Sequence, residues 1–267
     1  MQLKMFLSIL ILSCLATLEV NAQIPVLSRA VMLEDCTSYD ELSNFVKIGG
    51  GLTVLLWTAT YILMALQAFR SKRYGLPIVA LSIMWGYEFC FTFLYSFDGS
   101  LSLDIIEAIW FALDTLLLVQ VFLYYRPDWV AEPWGNISLQ RIWPIGLLLM
   151  LLFSVLGCSA VIKYFMIGPN LAFLVCLILS ASYIPFLLSR PTLDGVSNTA
   201  MYTRVLAGLL TLIVTVLGFP FQNSFELDLC ARSSNNLLSV FILSTTVVLD
   251  FIALYIMRSA MQQNSKN

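Results

Sequence analysis

Histidine is absent from the 267 residues, and charged side chains make up only 11% of them. A soluble globular domain carries about 25% charged residues, so the charge content argues against a soluble fold. The missing histidine removes His-based nucleophile triads, His metal sites and His proton relays together. Any acid–base chemistry must use Asp, Glu, Tyr, Cys, Lys or water. The formal net charge is −2, without the basic excess that nucleic-acid binding requires. No Asp-Asp-x-x-Asp run is present to hold a Mg²⁺–diphosphate, and there is no Asp-x-Asp-Asp acid motif. A Cys pair at ligand spacing and a Gly-rich phosphate loop are missing too. The expected chemistry is therefore free of metal and cofactor. Six cysteines are too few to staple a chain of this length. Cys90, Cys158 and Cys176 fall in apolar runs and read as small fillers. Cys36 and Cys230 fall on one side of the topology derived below, so a bridge between them stays open.

What the chain has instead is apolar sequence, at 60% of residues. Residues 1–22 read as a signal peptide. Lys4 supplies the positive start, Met5 to Thr17 the apolar region and Val20-Asn21-Ala22 the small-residue cleavage site. Residues 23–45 form a polar, acidic exported tail. Seven apolar segments follow at 46–67, 76–96, 104–125, 142–161, 169–189, 203–221 and 237–257, each long enough to span a bilayer. Residues 258–267 form a short cytosolic tail. The expected fold is an all-α integral membrane protein, a seven-transmembrane helix bundle preceded by a signal peptide. Short connections imply that sequential helices pack as antiparallel neighbours.

Lys and Arg set the orientation. With the 23–45 tail outside, Arg70, Lys72, Arg73, Arg126, Arg141, Arg190, Arg204, Arg258 and Lys266 fall inside, against Arg29, Lys47, Lys163 and Arg232 outside. The tail is then lumenal and the C-terminus cytosolic, with the endoplasmic reticulum as the expected membrane. The sequon Asn136-Ile137-Ser138 falls on the cytosolic side and should stay unglycosylated.

Three spans carry an acid in their middle: Glu88, Asp114 and Asp250. An acid at the centre of a span costs roughly 2.5–3.5 kcal/mol on insertion scales, so it faces the bundle interior and marks function by default. Interhelical hydrogen bonding, worth about 0.6–2 kcal/mol, is the structural alternative. At about 100° per residue, Trp85, Glu88, Phe91, Thr92 and Tyr95 share a face of the second span. Glu107, Trp110, Phe111 and Asp114 share an arc of the third. Ser239, Thr246, Asp250 and Ala253 line up in the last. A carboxyl in such surroundings loses hydration, which disfavours its charged form and leaves a general acid. Aromatic faces stabilise a developing cation by about 0.5–2 kcal/mol each. An acid in an apolar aromatic cavity is what protonation-started carbocation chemistry needs. An apolar substrate suits entry from the lipid phase.

At these residues the chain resembles a family. Met84-Trp85-Gly86-Tyr87-Glu88-Phe89, running on to Tyr95, resembles the second-span motif of the paxilline/pyripyropene cyclase family. These are the small membrane-bound terpene cyclases of fungal meroterpenoid and indole-diterpene pathways. Trp110-Phe111-Ala112-Leu113-Asp114 is similar to the family's third-span block. Val248-Leu249-Asp250-Phe251, followed by Tyr255, resembles its last-span segment. The likeness covers about residues 45–257. It implies acid-initiated cyclisation of a prenylated secondary-metabolite precursor, by epoxide opening or alkene protonation. It also implies an upstream prenyltransferase and epoxidase. Glu88 and Asp250 match the family's essential acids. Glu88 is then the general acid, and Asp250 orients it, shares its proton or helps activate the epoxide oxygen. Asp114 supports, and Trp85, Tyr87, Tyr95 and Trp110 line the pocket, with Tyr95 also readable as an interface anchor. Two positions depart from the family pattern: Tyr87 where Trp is usual, and Met84 where Asn is often found.

Two other readings compete. A proton-coupled seven-helix transporter for small molecules also uses intramembrane acids, but internal repeats and broken helices are not evident. A seven-span receptor is the other: the retinal type needs a Schiff-base Lys in the last span, and residues 237–257 contain none, while a ligand receptor stays open, although the short cytosolic loops offer little surface for coupling.

Overall fold

The computed structural model describes residues 30–31, 43–96, 101–124, 139–165, 168–190, 193, 195–219 and 236–264. The signal peptide, most of the exported tail, the Asn136 sequon, Cys36 and Cys230 lie outside the described residues. The fold is helical. The helices are α1 (Asn44–Ser71), α2 (Ile78–Phe89, continued by a π-helical turn at Cys90–Leu94), α3 (Leu101–Tyr124), α4 (Leu139–Phe165), α5 (Gly168–Leu188), α6 (Asn198–Gly218) and α7 (Leu237–Asn264). A two-residue parallel pairing joins β1 (Ala30–Val31) to β2 (Tyr95–Ser96).

Six of these helices are long and apolar enough to cross a membrane; α2 with its π turn is shorter. The chain is thus an all-helical membrane protein in which, among the described residues, six helices are long enough to span and a shorter apolar seventh lies between the first two of them.

Polar caps set the helix starts. The Ser43 hydroxyl accepts from the Val46 amide at 3.3 Å, Ser197 from Ala200 at 3.2 Å, and the Asn236 side chain from Ser239 at 2.8 Å. Each pairs an amide that the first turn leaves without a helical partner. Ser197 starts α6 five residues before its apolar run. At the other end of α1, Lys72 turns left-handed (φ 53°) and stops the helix. Gly195 (φ +89°) has neither the strain nor the room for a side chain. A Cβ there would sit 2.9 Å from the Arg73 and Tyr74 carbonyl oxygens. Beside this turn, Arg190 lies over the rings of Phe186 (4.1 Å) and Tyr74 (4.6 Å). Burial holds its guanidinium below the usual arginine range.

The helices do not pack in chain order. Contacts run α1–α3, α3–α2, α2–α5, α5–α7, α7–α6 and α6–α1, which closes a ring of six. Helix α4 packs on α2 from outside this ring and is the least buried of the spans. The expectation of sequential antiparallel neighbours holds only for α2–α3 and α6–α7. A span surrounded by lipid gains nothing from its chain neighbour unless the two surfaces interlock. The partners here are chosen by fit. Gly86 of α2 lies against the Ser154 backbone of α4, where a Cβ would come within 2.7 Å. Buried polar ties add direction. The Gln120 amide of α3 donates to Ala65 O of α1 at 2.8 Å, and the Thr60 hydroxyl of α1 donates to Thr203 of α6 at 2.8 Å.

Candidate active site

The ring of six encloses an apolar cavity of about 180 Å³. Every ring helix contributes to its wall: Trp57 and Tyr61 from α1, Tyr87 and Glu88 from α2, Trp110 from α3, Phe173 and Cys176 from α5, Gly208 from α6 and Thr246 from α7. Among the described residues none of α4 lines it. Glu88 is the only carboxylate in the described wall.

Glu88 is 4% exposed and Glu107 of α3 is 5% exposed. In each, Oε2 is buried with no partner among the described residues. Asp114, about two turns further along α3, is fully buried, and neither of its oxygens is hydrogen-bonded among the described residues. Tyr61 of α1 lines the same cavity as Glu88. The π turn begins two residues after Glu88, and such insertions are frequent at functional sites.

Asp250 stands apart from that pair. Its Oδ1 lies 2.9 Å from Arg204 Nη2, and both side chains have no exposed surface. The geometry is that of a close ion pair rather than an aligned hydrogen bond, since both Asp250 oxygens lack a hydrogen-bond partner among the described residues. Arg204 Nη2 donates to Ser180 Oγ of α5 at 2.6 Å, and its guanidinium lies 5.0 Å from the Tyr183 ring centroid. Gly208 separates the pair from the cavity: a Cβ on Gly208 would be 3.8 Å from Asp250 Oδ2.

Of the residues singled out from sequence, Glu88, Tyr87 and Trp110 meet in the cavity wall. Trp110 is held there by donating to Thr58 Oγ1 at 3.0 Å. Asp250 and Asp114 lie behind the wall. Trp85 and Tyr95 are not among the lining residues. Trp85 donates to Thr115 Oγ1 at 3.0 Å and stacks on Phe89, while the Tyr95 hydroxyl lies 2.9 Å from Ser159 Oγ of α4. The cavity face of α2 is Met84, Tyr87 and Glu88, turned away from Trp85; these include both positions that depart from the family pattern.

Three residues of evident importance were not among those candidates. Glu107 was noted on its arc but given no role. Arg204 was grouped with the cytosolic loop cations, yet it is buried and paired. Trp57 carried no signal beyond its aromatic character. Among the described residues no group of three or more His, Cys, Asp or Glu could hold a metal ion.

The model of the Pyr4-like transmembrane terpene cyclases matches residues 34–262. Three fungal proteins show similarity. The Pyr4-family terpene cyclase mfmH of Annulohypoxylon moriforme is 25% identical over 175 residues, covering 64% of this chain and 72% of that protein. Asnovolin H synthase nvfL of Aspergillus novofumigatus is 27% identical over 171 residues, covering 62% and 66%. Terpene cyclase macJ of Penicillium terrestre is 27% identical over 167 residues, covering 61% and 62%. The chain thus spans just under two thirds of the latter two. No solved structure matches.

Proposed function

Because this chain belongs to the Pyr4-like transmembrane terpene cyclases, we propose that it cyclises a prenylated secondary-metabolite precursor, such as a meroterpenoid precursor, by acid initiation. The enzyme does not ionise a diphosphate, and its product is an isomer of its substrate. The observation that carries this reading is Glu88: a buried carboxyl in the wall of an apolar, aromatic cavity with one oxygen unpartnered. The Glu88 O–H bond breaks and the proton passes to an epoxide oxygen or an alkene carbon. With an epoxide, the C–O bond opens and leaves a cation on carbon. The next alkene attacks that cation, rings close in turn, and the final cation loses a proton, so mass is conserved. Trp57, Tyr61, Tyr87, Trp110 and Phe173 offer ring faces to the travelling charge, each worth about 0.5–2 kcal/mol. Asp250 acts through Arg204, fixing the wall around Gly208, and Asp114 supports the α3 side.

The substrate enters from the lipid phase after a prenyltransferase and an epoxidase have built it. The protein resides in the endoplasmic reticulum membrane with the tail lumenal and the C-terminus cytosolic, and α2 with its π turn completes a seventh span. A transporter is not favoured, since the family consists of cyclases.

The test is conversion in a fungal host fed epoxidised farnesyl- and geranylgeranyl-aromatic substrates, read by mass spectrometry. Wild type should yield a cyclised isomer of unchanged mass, and Glu88→Gln should yield none. A product that survives Glu88→Gln would move the acid elsewhere. Substrate carried unchanged across vesicles would replace the cyclase with a transporter.

A further inference from the structure

A second void lies against the outside of the ring. It is a groove of about 420 Å³ between α4 and α5, with α2 as its floor. Val79 and Ile83 of α2, Phe153 and Gly157 of α4, and Leu174 and Ile178 of α5 line it. Its mouth faces outward, since Val79 and Phe153 are more than half exposed. Helices α4 and α5 follow each other in the chain, yet their mutual contact is marginal among the described residues, and each packs on α2. Behind the groove, α2 and α5 make the lightest contact of the ring. One residue spans that seam: Val175 of α5 lines both the groove and the cavity that holds Glu88.

The groove suits hydrocarbon. Its hydroxyls are turned into their own helices: Ser82 Oγ donates to Ile78 O at 2.9 Å and Ser154 Oγ to Met150 O at 2.7 Å. The Cys158 thiol donates to Ile83 O at 3.9 Å. No charged side chain is among the described lining residues. A polar group placed there would go unpaired, whereas an apolar chain loses nothing on passing into it from lipid, which is just as apolar. The cavity alone is too small for a prenylated aromatic substrate. A cavity of about 150 Å³ holds a molecule the size of benzene, and the one beside Glu88 is about 180 Å³. It has room for the reacting end of an isoprenoid chain, and not for a whole farnesyl or geranylgeranyl chain with an aromatic ring attached. The rest of the chain needs apolar space continuous with the cavity, and the groove across Val175 is such a space. The linings divide in the same way. Aromatic rings crowd the cavity, where positive charge develops, while the described groove has Phe153 as its one ring among aliphatic side chains.

We propose that the groove between α4 and α5 binds the isoprenoid chain of the substrate and admits it from the lipid, with Val175 as the partition that the chain crosses to bring its terminal epoxide or alkene into the cavity. This rests on the cyclase reading above and adds where the substrate lies. The trailing part of the chain stays in the groove, held by dispersion contacts with aliphatic side chains. No bond of the substrate is made or broken there.

Gly157 offers a way to fill the groove without disturbing the fold, because a Cβ there meets nothing within 4 Å. Gly146, about three turns earlier on nearly the same face of α4, is equally open and lies outside the groove. Gly157→Phe and its control Gly146→Phe are compared with wild type in lipid nanodiscs, on epoxidised farnesyl- and geranylgeranyl-aromatic substrates. Gly157→Phe should lower kcat/KM by about 10- to 100-fold, the scale of overfilling a packed site, with the melting temperature unchanged. Gly146→Phe should stay within about twofold, as a surface change does. Wild-type activity in Gly157→Phe would overturn the proposal. Equal losses in the two variants would also overturn it, since bulk on α4 and not the groove would then be the cause. A photolabelling experiment on wild type reads binding without turnover. A farnesyl phenyl ether carrying a diazirine in its chain is photolysed in the nanodiscs and the labelled peptides are mapped. Label should fall on the groove faces of α4 and α5, be displaced by unlabelled farnesyl phenyl ether, and drop in Gly157→Phe. Label displaced as readily by oleic acid would make the groove a seat for bilayer lipid, and label confined to other helices would place the chain elsewhere; either result overturns the proposal. Groove labelling without conversion of any substrate by wild type would uphold the groove as a prenyl-chain site and remove the cyclase reading instead.

Discussion

Arg204 and Asp250 carry opposite charges with no exposed side-chain surface. Desolvating two ions offsets most of their attraction, so such a pair adds little net stability, yet removing one partner leaves a bare buried charge at about 3–5 kcal/mol. Asp250→Ala and Arg204→Met should each lower the melting temperature of the detergent-solubilised protein sharply. The double variant Arg204→Met/Asp250→Leu should be more stable than either single one. A double variant as unstable as the sum of the two would show that the groups act independently. Asp250 was visible from sequence because an acid in the middle of an apolar run is costly unless it has a partner or a role. Arg204 and Glu107 were not, and for one reason. Each lies in the second turn of its helix, where insertion scales charge little for an ion and a lipid headgroup or loop is the obvious partner. Only packing reveals that both are inside.

At the scale of the helix, two glycines of similar appearance in the sequence do different things. Gly86 marks the close approach of α2 to α4, where an added Cβ would meet the Ser154 backbone at 2.7 Å. Gly208 lines the cavity, and its Cβ would find ordinary contacts at 3.5 Å from Val247 and 3.8 Å from Asp250. Gly86→Ala should cost about 1–3 kcal/mol by overpacking. Gly208→Ala should be neutral or gain up to about 1 kcal/mol from helix propensity, while placing a methyl in the cavity. Thermal unfolding of both in the same detergent checks the contrast, and equal losses would refute it. The π turn after Glu88 shows what periodicity misses. A turn bonded i to i+5 takes in an extra residue, so positions beyond Cys90 leave the face that a regular helix predicts. Tyr95, placed by regular spacing beside Glu88, ends against α4 instead.

At the scale of the molecule, the ring of six helices with α4 outside explains why one cavity collects side chains from positions 53 to 246. The orientation of that ring in the membrane is open to a direct reporter. With residues 23–45 lumenal as proposed, the native sequon at Asn136 should remain unmodified, whereas Val26→Asn, which creates a sequon with Ser28, should be glycosylated in cells. The opposite pattern would invert the topology; the loop-charge bias behind it does not depend on Arg204. The sequence alone determined that the chain is helical and in the membrane, because nothing but a membrane accommodates so many apolar runs with so little charge. It also determined which acids are too costly to be idle. The tertiary structure decided which of those acids meet a cavity and which meet a partner. Lipid gives each helix the same apolar surroundings on every side, so hydropathy says where a span begins and ends but not which helix it faces. That choice is made by the fit of small residues such as Gly86 and by buried polar contacts such as Gln120–Ala65 and Arg204–Asp250, which exist only once distant segments have come together.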